Sequence, residues 1–302
     1  MIESFRQGLE PWINGELAAV TSALFWSVSV ILLRLSGLKL APIPLTFFKS
    51  WVAVVCFLLT ILGLGLPLLP GLPEGAYLRL VASAVLGIAI ADTMFVAALR
   101  RLGASLQALA DCVYAPSVAA VGFLMFGESL TALEFLGGSL VLSGVMVGVG
   151  LGGGAERPPR DLLSGVALAA GAHVIMAVGI LMVRDILRSE SVIWVSGFRF
   201  AVATLLLGLY ACLRGEDLWS AFRRPDLFKW TIPLSLLGPY LATIFWASGF
   251  KYATPARAAI YNQLSTVFII ILARFVLAER LTGRRFAGIV LATLGSILVA
   301  SG

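Results

Sequence analysis

The chain has 302 residues, of which 60% are hydrophobic and 13% charged, with a formal net charge of +6 and a mean hydropathy of +0.99. That balance excludes an ordinary soluble domain and places the chain in a bilayer. The positive charge does not point to nucleic acid, because most Lys and Arg residues stand singly or in pairs at the ends of apolar runs, where they meet lipid headgroups.

Residues 1–16 carry Glu3, Arg6, Glu10, Pro11 and Glu16 and have no basic stretch leading into a short apolar core. They read as an N-terminal segment rather than a cleaved leader. Apolar runs between charged or Gly/Pro punctuation then predict ten spans, at 17–34, 43–66, 77–99, 104–126, 131–150, 162–184, 191–213, 227–249, 255–277 and 284–301. Connections such as Arg100–Gly103 and Gly127–Thr131 are short, which makes sequence neighbours antiparallel neighbours. Residues 151–161, with Gly152-Gly153-Gly154 and Pro158-Pro159, form a linker between residues 17–150 and 162–302, each holding five spans. Trp12, Trp51, Trp194, Trp219 and Trp230 fall near span ends and suit interface anchors. Cys56, Cys112 and Cys212 lie inside apolar runs without CxxC or Cys/His metal spacing, which favours packing over redox or metal chemistry.

The second half repeats the first. Glu128-Ser129-Leu130-Thr131, followed by Gly137 and Gly144, returns 151 residues later as Glu279-Arg280-Leu281-Thr282, followed by Gly288 and Gly295. Leu86-Gly87, Ala91 and Phe95 face Leu237-Gly238, Ala242 and Trp246 in the same register, while Arg34, Phe48 and Lys49 face Arg184, Phe198 and Arg199 at a spacing of 150. Five spans per copy is an odd number, so the second copy enters the membrane from the opposite side. The expected fold is therefore an all-α membrane protein of ten transmembrane helices, built as two inverted five-helix repeats around a central cavity.

Two tandem five-span copies, each ending in a Gly/Ala-Glu-x-Leu-Thr turn and a Gly-spaced last helix, resemble the EamA family of the drug/metabolite transporter superfamily. The resemblance runs from about Glu16 to Ser301. It implies a ten-helix secondary transporter, an exporter or importer of small metabolites such as amino acids or drug-like compounds. The central cavity would be lined mainly by helices other than the last of each repeat. Expected partners are a small-molecule substrate, the lipid bilayer and protons, with no nucleic acid, cofactor or metal, in a monomer or homodimer of the bacterial inner membrane. Orientation stays open. The Lys/Arg-rich face, with Arg100, Arg101, Arg214, Arg223 and Arg224, would put both termini outside, whereas the family resemblance favours the cytoplasm.

Lys49, Asp92 and Asp111 are the intramembrane charges of the first copy, each about 10 Å deep from one face at about 1.5 Å per residue. Charges at that depth pair with one another or face a wet site, so they either lock helices together or bind substrate or a proton. The second copy keeps a cation as Arg199 but has Thr243 and Asn262 where the first has Asp92 and Asp111. His173 is the single histidine and falls near the midplane; it reads as a proton relay or as a hydrogen-bonded packing residue. Trp26, Tyr114, Trp246 and Tyr261 bring amphipathic rings to similar depths, suited to enclosing a substrate or to core packing. Gly238-Pro239 and Pro116 interrupt spans eight and four as candidate hinges or static kinks. Glu128 and Glu279 suit structural caps at the start of the last helix of each copy. Gly137, Gly138, Gly144, Gly148, Gly288 and Gly295 are spaced for close helix approach or a dimer interface.

An intramembrane enzyme would need a nucleophile with its base, or a metal set, at one depth. No HExxH, Gly-x-Ser-x-Gly or Walker A pattern occurs. A closer alternative is a lipid-linked sugar or phosphorylated-metabolite translocase of the same fold.

Overall fold

A computed structural model describes residues 15–127, 131–149, 159–252, 261–279 and 281–301. Trp12, Glu128 and residues 151–158 of the expected 151–161 linker lie outside the described residues, and 159–161 already belong to a helix. The described residues are helical, with no strand among them. In lipid the backbone must satisfy its own polar groups, and a helix does so within one segment. We label the helices α1 (Gly15–Gly37), α2 (Pro42–Gly63), α3 (Ala76–Leu102), α4 (Ala104–Phe126) and α5 (Ala132–Val149) in the first copy. Those of the second are α6 (Pro159–Leu181), α7 (Val192–Leu213), α8 (Pro225–Gly249), α9 (Leu264–Val276) and α10 (Gly283–Ser301), with a short extra turn of helix at Arg184–Ser189. Eight of these are long and apolar enough to cross a membrane; α5 and α9 are shorter apolar helices. The protein is an integral, multi-pass membrane protein.

Local chemistry sets the boundaries. Pro42 stands in the first turn of α2, where its missing N–H leaves no bond unmade. Gly103, at φ 80°, lets the chain double back between α3 and α4 within one residue. At the start of α5 the Thr131 hydroxyl accepts from the Glu134 N–H at 3.1 Å, and the Glu134 carboxylate accepts from the Thr131 N–H at 2.7 Å. This capping box is half lost in α10, where Thr282 still accepts from the Arg285 N–H but the acid three residues on is replaced by arginine.

The copies interlock reciprocally. α1 packs on α8 and α9, and α6 packs on their counterparts α3 and α4; α2 packs on α7, and α5 on α10. Exchanging the two copies maps this pairing onto itself. The closest pair is α5 with α10, where the duplicated glycines meet. A Cβ on Gly137 would lie 2.5 Å from the Gly295 carbonyl oxygen, and one on Gly144 would lie 2.6 Å from both the Gly288 carbonyl oxygen and the Ala292 nitrogen. The glycine spacing thus brings two helices of one chain into backbone contact.

Both α3 and α8 contain a widened π turn at matching places, Val85–Ile90 and Leu236–Ala242. Sequence alone attributes the break in α8 to Pro239. The first copy makes the same turn with Ile88 at that position, so the turn does not require proline. Each π turn carries a glycine against a helix of the other copy. Gly87 abuts the Gly179 backbone, where the Ser83 hydroxyl donates to the Gly179 carbonyl, and Gly238 abuts Ser29, whose hydroxyl donates to the Leu234 carbonyl at 3.0 Å.

Gly144→Leu drives a side chain into the α10 backbone and is expected to cost about 1–3 kcal/mol or more. It should lower the recovery of monodisperse protein in detergent and its melting temperature. Gly63→Leu, at a position with no atom within 4 Å of a new Cβ, should leave both unchanged.

Candidate functional site

The described intramembrane charges fall into two pairs and one remainder. Lys49 of α2 and Asp92 of α3 form an ion pair and hydrogen bond, with relative exposures of 4% and 8%. Asp92 is the second residue after the π turn of α3. Asp111 does not join that pair, although sequence places all three charges at one depth. It reaches across to the second copy, where its Oδ1 meets His173 Nε2 of α6 at 2.8 Å. Gln107, one turn earlier on α4, donates to the same oxygen at 2.8 Å. Asp111 Oδ2 and His173 Nδ1 are buried without a hydrogen-bond partner among the described residues.

Aromatic rings continue the site inward. The Tyr114 and Phe95 rings stand 5.8 and 6.3 Å from the His173 ring, and Trp26 packs on Phe95 at 5.5 Å. Trp26, Tyr114, Asp111 and His173 therefore gather where α1, α3, α4 and α6 converge. The two other aromatic candidates stand elsewhere. Trp246 packs against a separate apolar cluster that includes Ile61, Leu80 and Trp194, and the Tyr261 hydroxyl donates to the Glu16 carboxylate at 3.3 Å.

Arg199 of α7 is the remainder. It is 7% exposed, and its Nε is buried with no acceptor among the described residues. One guanidinium nitrogen lies 2.9 Å from where a Cβ on Gly87 would stand, so the glycine of the α3 π turn leaves room for this side chain. Asp92 and the Tyr114 phenol are close enough to act on its charge. Asn262, the counterpart of Asp111, is half-buried, and its Nδ2 has no partner among the described residues. Pro116 packs on α5 near Gly138, and Pro239 is buried within the α8 π turn.

With this geometry in view, comparison with known proteins gives one consistent result. The sequence model of the EamA-like transporter family matches residues 13–149 and again residues 163–301. The chain belongs to the EamA-like transporter family. An uncharacterized transporter of Archaeoglobus fulgidus is 27% identical over 113 residues, a match spanning 37% of this chain and 39% of that protein's length. A solved crystal structure resembles the fold with a TM-score of 0.69 at 19% identity, covering 94% of this chain and 96% of the other. The family and the relative are both described as transporters, and the match to the relative spans well under half of its length.

In this EamA-like protein the repeated acid has a different partner from the one its sequence position suggests. Glu279 precedes α10, but its two carboxylate oxygens accept from the Ala104 and Ser105 N–H groups, each at 2.9 Å. It caps α4 of the first copy rather than its own last helix. The chemistry is that of a helix cap, with a carboxylate meeting free N–H groups at the positive helix end, and the connection runs between copies. Sequence reasoning also passed over Gln107, although its i, i+4 spacing from Asp111 was readable.

Lys49→Met leaves Asp92 buried without its cation and is expected to cost about 3–5 kcal/mol. The double variant Lys49→Met/Asp92→Asn should recover much of that loss, as read by thermal unfolding in detergent. Two additive losses would show that the pair is not coupled.

Proposed function

We propose that this EamA-like protein is a secondary active transporter, an exporter of small organic metabolites such as amino acids or drug-like compounds. It works by alternating access between two inverted five-helix repeats and exchanges substrate for protons. The observation that carries this reading is the Asp111–His173 contact. It joins α4 of one copy to α6 of the other, and each partner keeps an unmet polar atom. A carboxylate and an imidazole held at the boundary between two moving halves can take up a proton in one state and release it in the other, as the distance between them changes. Gln107 and the Tyr114 ring flank the pair and hold it in place. The aromatic rings beside it offer apolar walls with a few polar handles, the usual make-up of a small-molecule site.

In proteoliposomes, an imposed pH gradient should drive accumulation of substrate by the wild type. Asp111→Asn should abolish gradient-driven accumulation while leaving exchange of substrate down its own gradient. Wild-type accumulation and pH profile in both Asp111→Asn and His173→Gln would remove the proton from the mechanism.

A further inference from the structure

The two copies treat their intramembrane cation differently. In the first, Lys49 on α2 is met by Asp92, the second residue after the α3 π turn. In the second, Arg199 occupies the place of Lys49, and the place of Asp92, directly after the α8 π turn, is held by Thr243. The stretch Thr243–Tyr252 packs on α7 as Ala91–Leu102 packs on α2, so the scaffold that presents an acid to Lys49 is retained around Arg199 without the acid. The Thr243 hydroxyl turns instead to the Gly238 carbonyl of its own helix, at 3.5 Å. The Asp92 carboxylate is taken by Lys49, and Arg199 has no ion pair among the described residues. One positive charge is left uncompensated at a position 93% shielded from outside, with Nε lacking an acceptor among the described residues.

A buried charge without a partner is costly, and a guanidinium presents its donors in a planar fork that fits an oxyanion. We infer that the transported molecule carries a carboxylate and that this group binds Arg199, filling the place of the acid that the second copy lacks. One uncompensated charge calls for one negative charge, which favours a monocarboxylate over a doubly charged phosphate monoester. The inference rests on the transporter reading above and gives its substrate a chemical class.

The test compares binding and transport of matched compounds by the purified full-length protein. A panel of small monocarboxylates, their primary amides and a set of sugar phosphates is screened by thermal unfolding in detergent, then by counterflow in proteoliposomes. At least one carboxylate should raise the wild-type unfolding midpoint, and its amide, which has the same shape without the charge, should bind at least about tenfold more weakly. Arg199→Gln should erase the difference between acid and amide. Thr243→Asp guards against a variant that simply fails to fold. It returns the missing acid, and should raise the unfolding midpoint of the ligand-free protein while abolishing stabilisation by carboxylates.

Equal binding of acid and amide, preference for sugar phosphates, absence of stabilisation by any carboxylate, or discrimination that survives Arg199→Gln would each overturn the inference. Carboxylate binding that depends on Arg199 without counterflow would uphold the subsite and overturn the transport cycle instead.

Discussion

The hydrocarbon core of a membrane offers no water to a charge, so each ionised group carried into it must be answered by protein or ligand. Lys49 is answered by Asp92, and the Asp111 carboxylate by Gln107 and His173. The first contact fixes α2 against α3 within one copy; the second ties α4 to α6 across the boundary between copies. Glu279 makes a second tie across that boundary by capping α4 from the loop before α10. These polar contacts sit in a frame set by close packing, above all the glycine-lined meeting of α5 and α10. Packing holds the copies together, and the charges add specific ties within and between them.

Duplication makes departures from symmetry informative. The π turns, their glycines and the serine-to-carbonyl contacts beside them occur in both copies, so they belong to the scaffold. Asp92, Asp111 and His173 have as counterparts Thr243, Asn262 and Ala23, none of which carries a charge. A symmetric shell thus encloses an electrically one-sided interior. The proposed carboxylate subsite at Arg199 rests on this asymmetry.

Much of this was legible in the sequence, because membrane helices announce themselves by apolar length and a duplication by its register. The burial of Lys49, Asp92 and Arg199 followed from their places inside apolar runs. Partner choice did not follow. Depth along a helix is readable from residue number, but Asp111 turns toward α6 rather than α2 because α4 packs on α6, a fact of tertiary structure. Glu279 illustrates the same limit, since its cap chemistry was evident and the helix it caps was not. The π turn of α3 left no proline to mark it. Its glycine became meaningful only once the Arg199 guanidinium was seen lying against it.

Alternating access by like halves requires that the copies face opposite ways, and that claim can be tested on two equivalent loops. Gly71, between α2 and α3, and Glu216, between α7 and α8, are exposed and free of neighbouring helices' cores. With Cys56, Cys112 and Cys212 replaced by serine or alanine, a single cysteine is placed at one loop or the other and treated with a membrane-impermeant maleimide in intact cells. The inverted arrangement predicts that one of the two sites labels in intact cells and the other only after lysis. Labelling of both sites from the same side would mean that the copies run parallel and would contradict the mechanism.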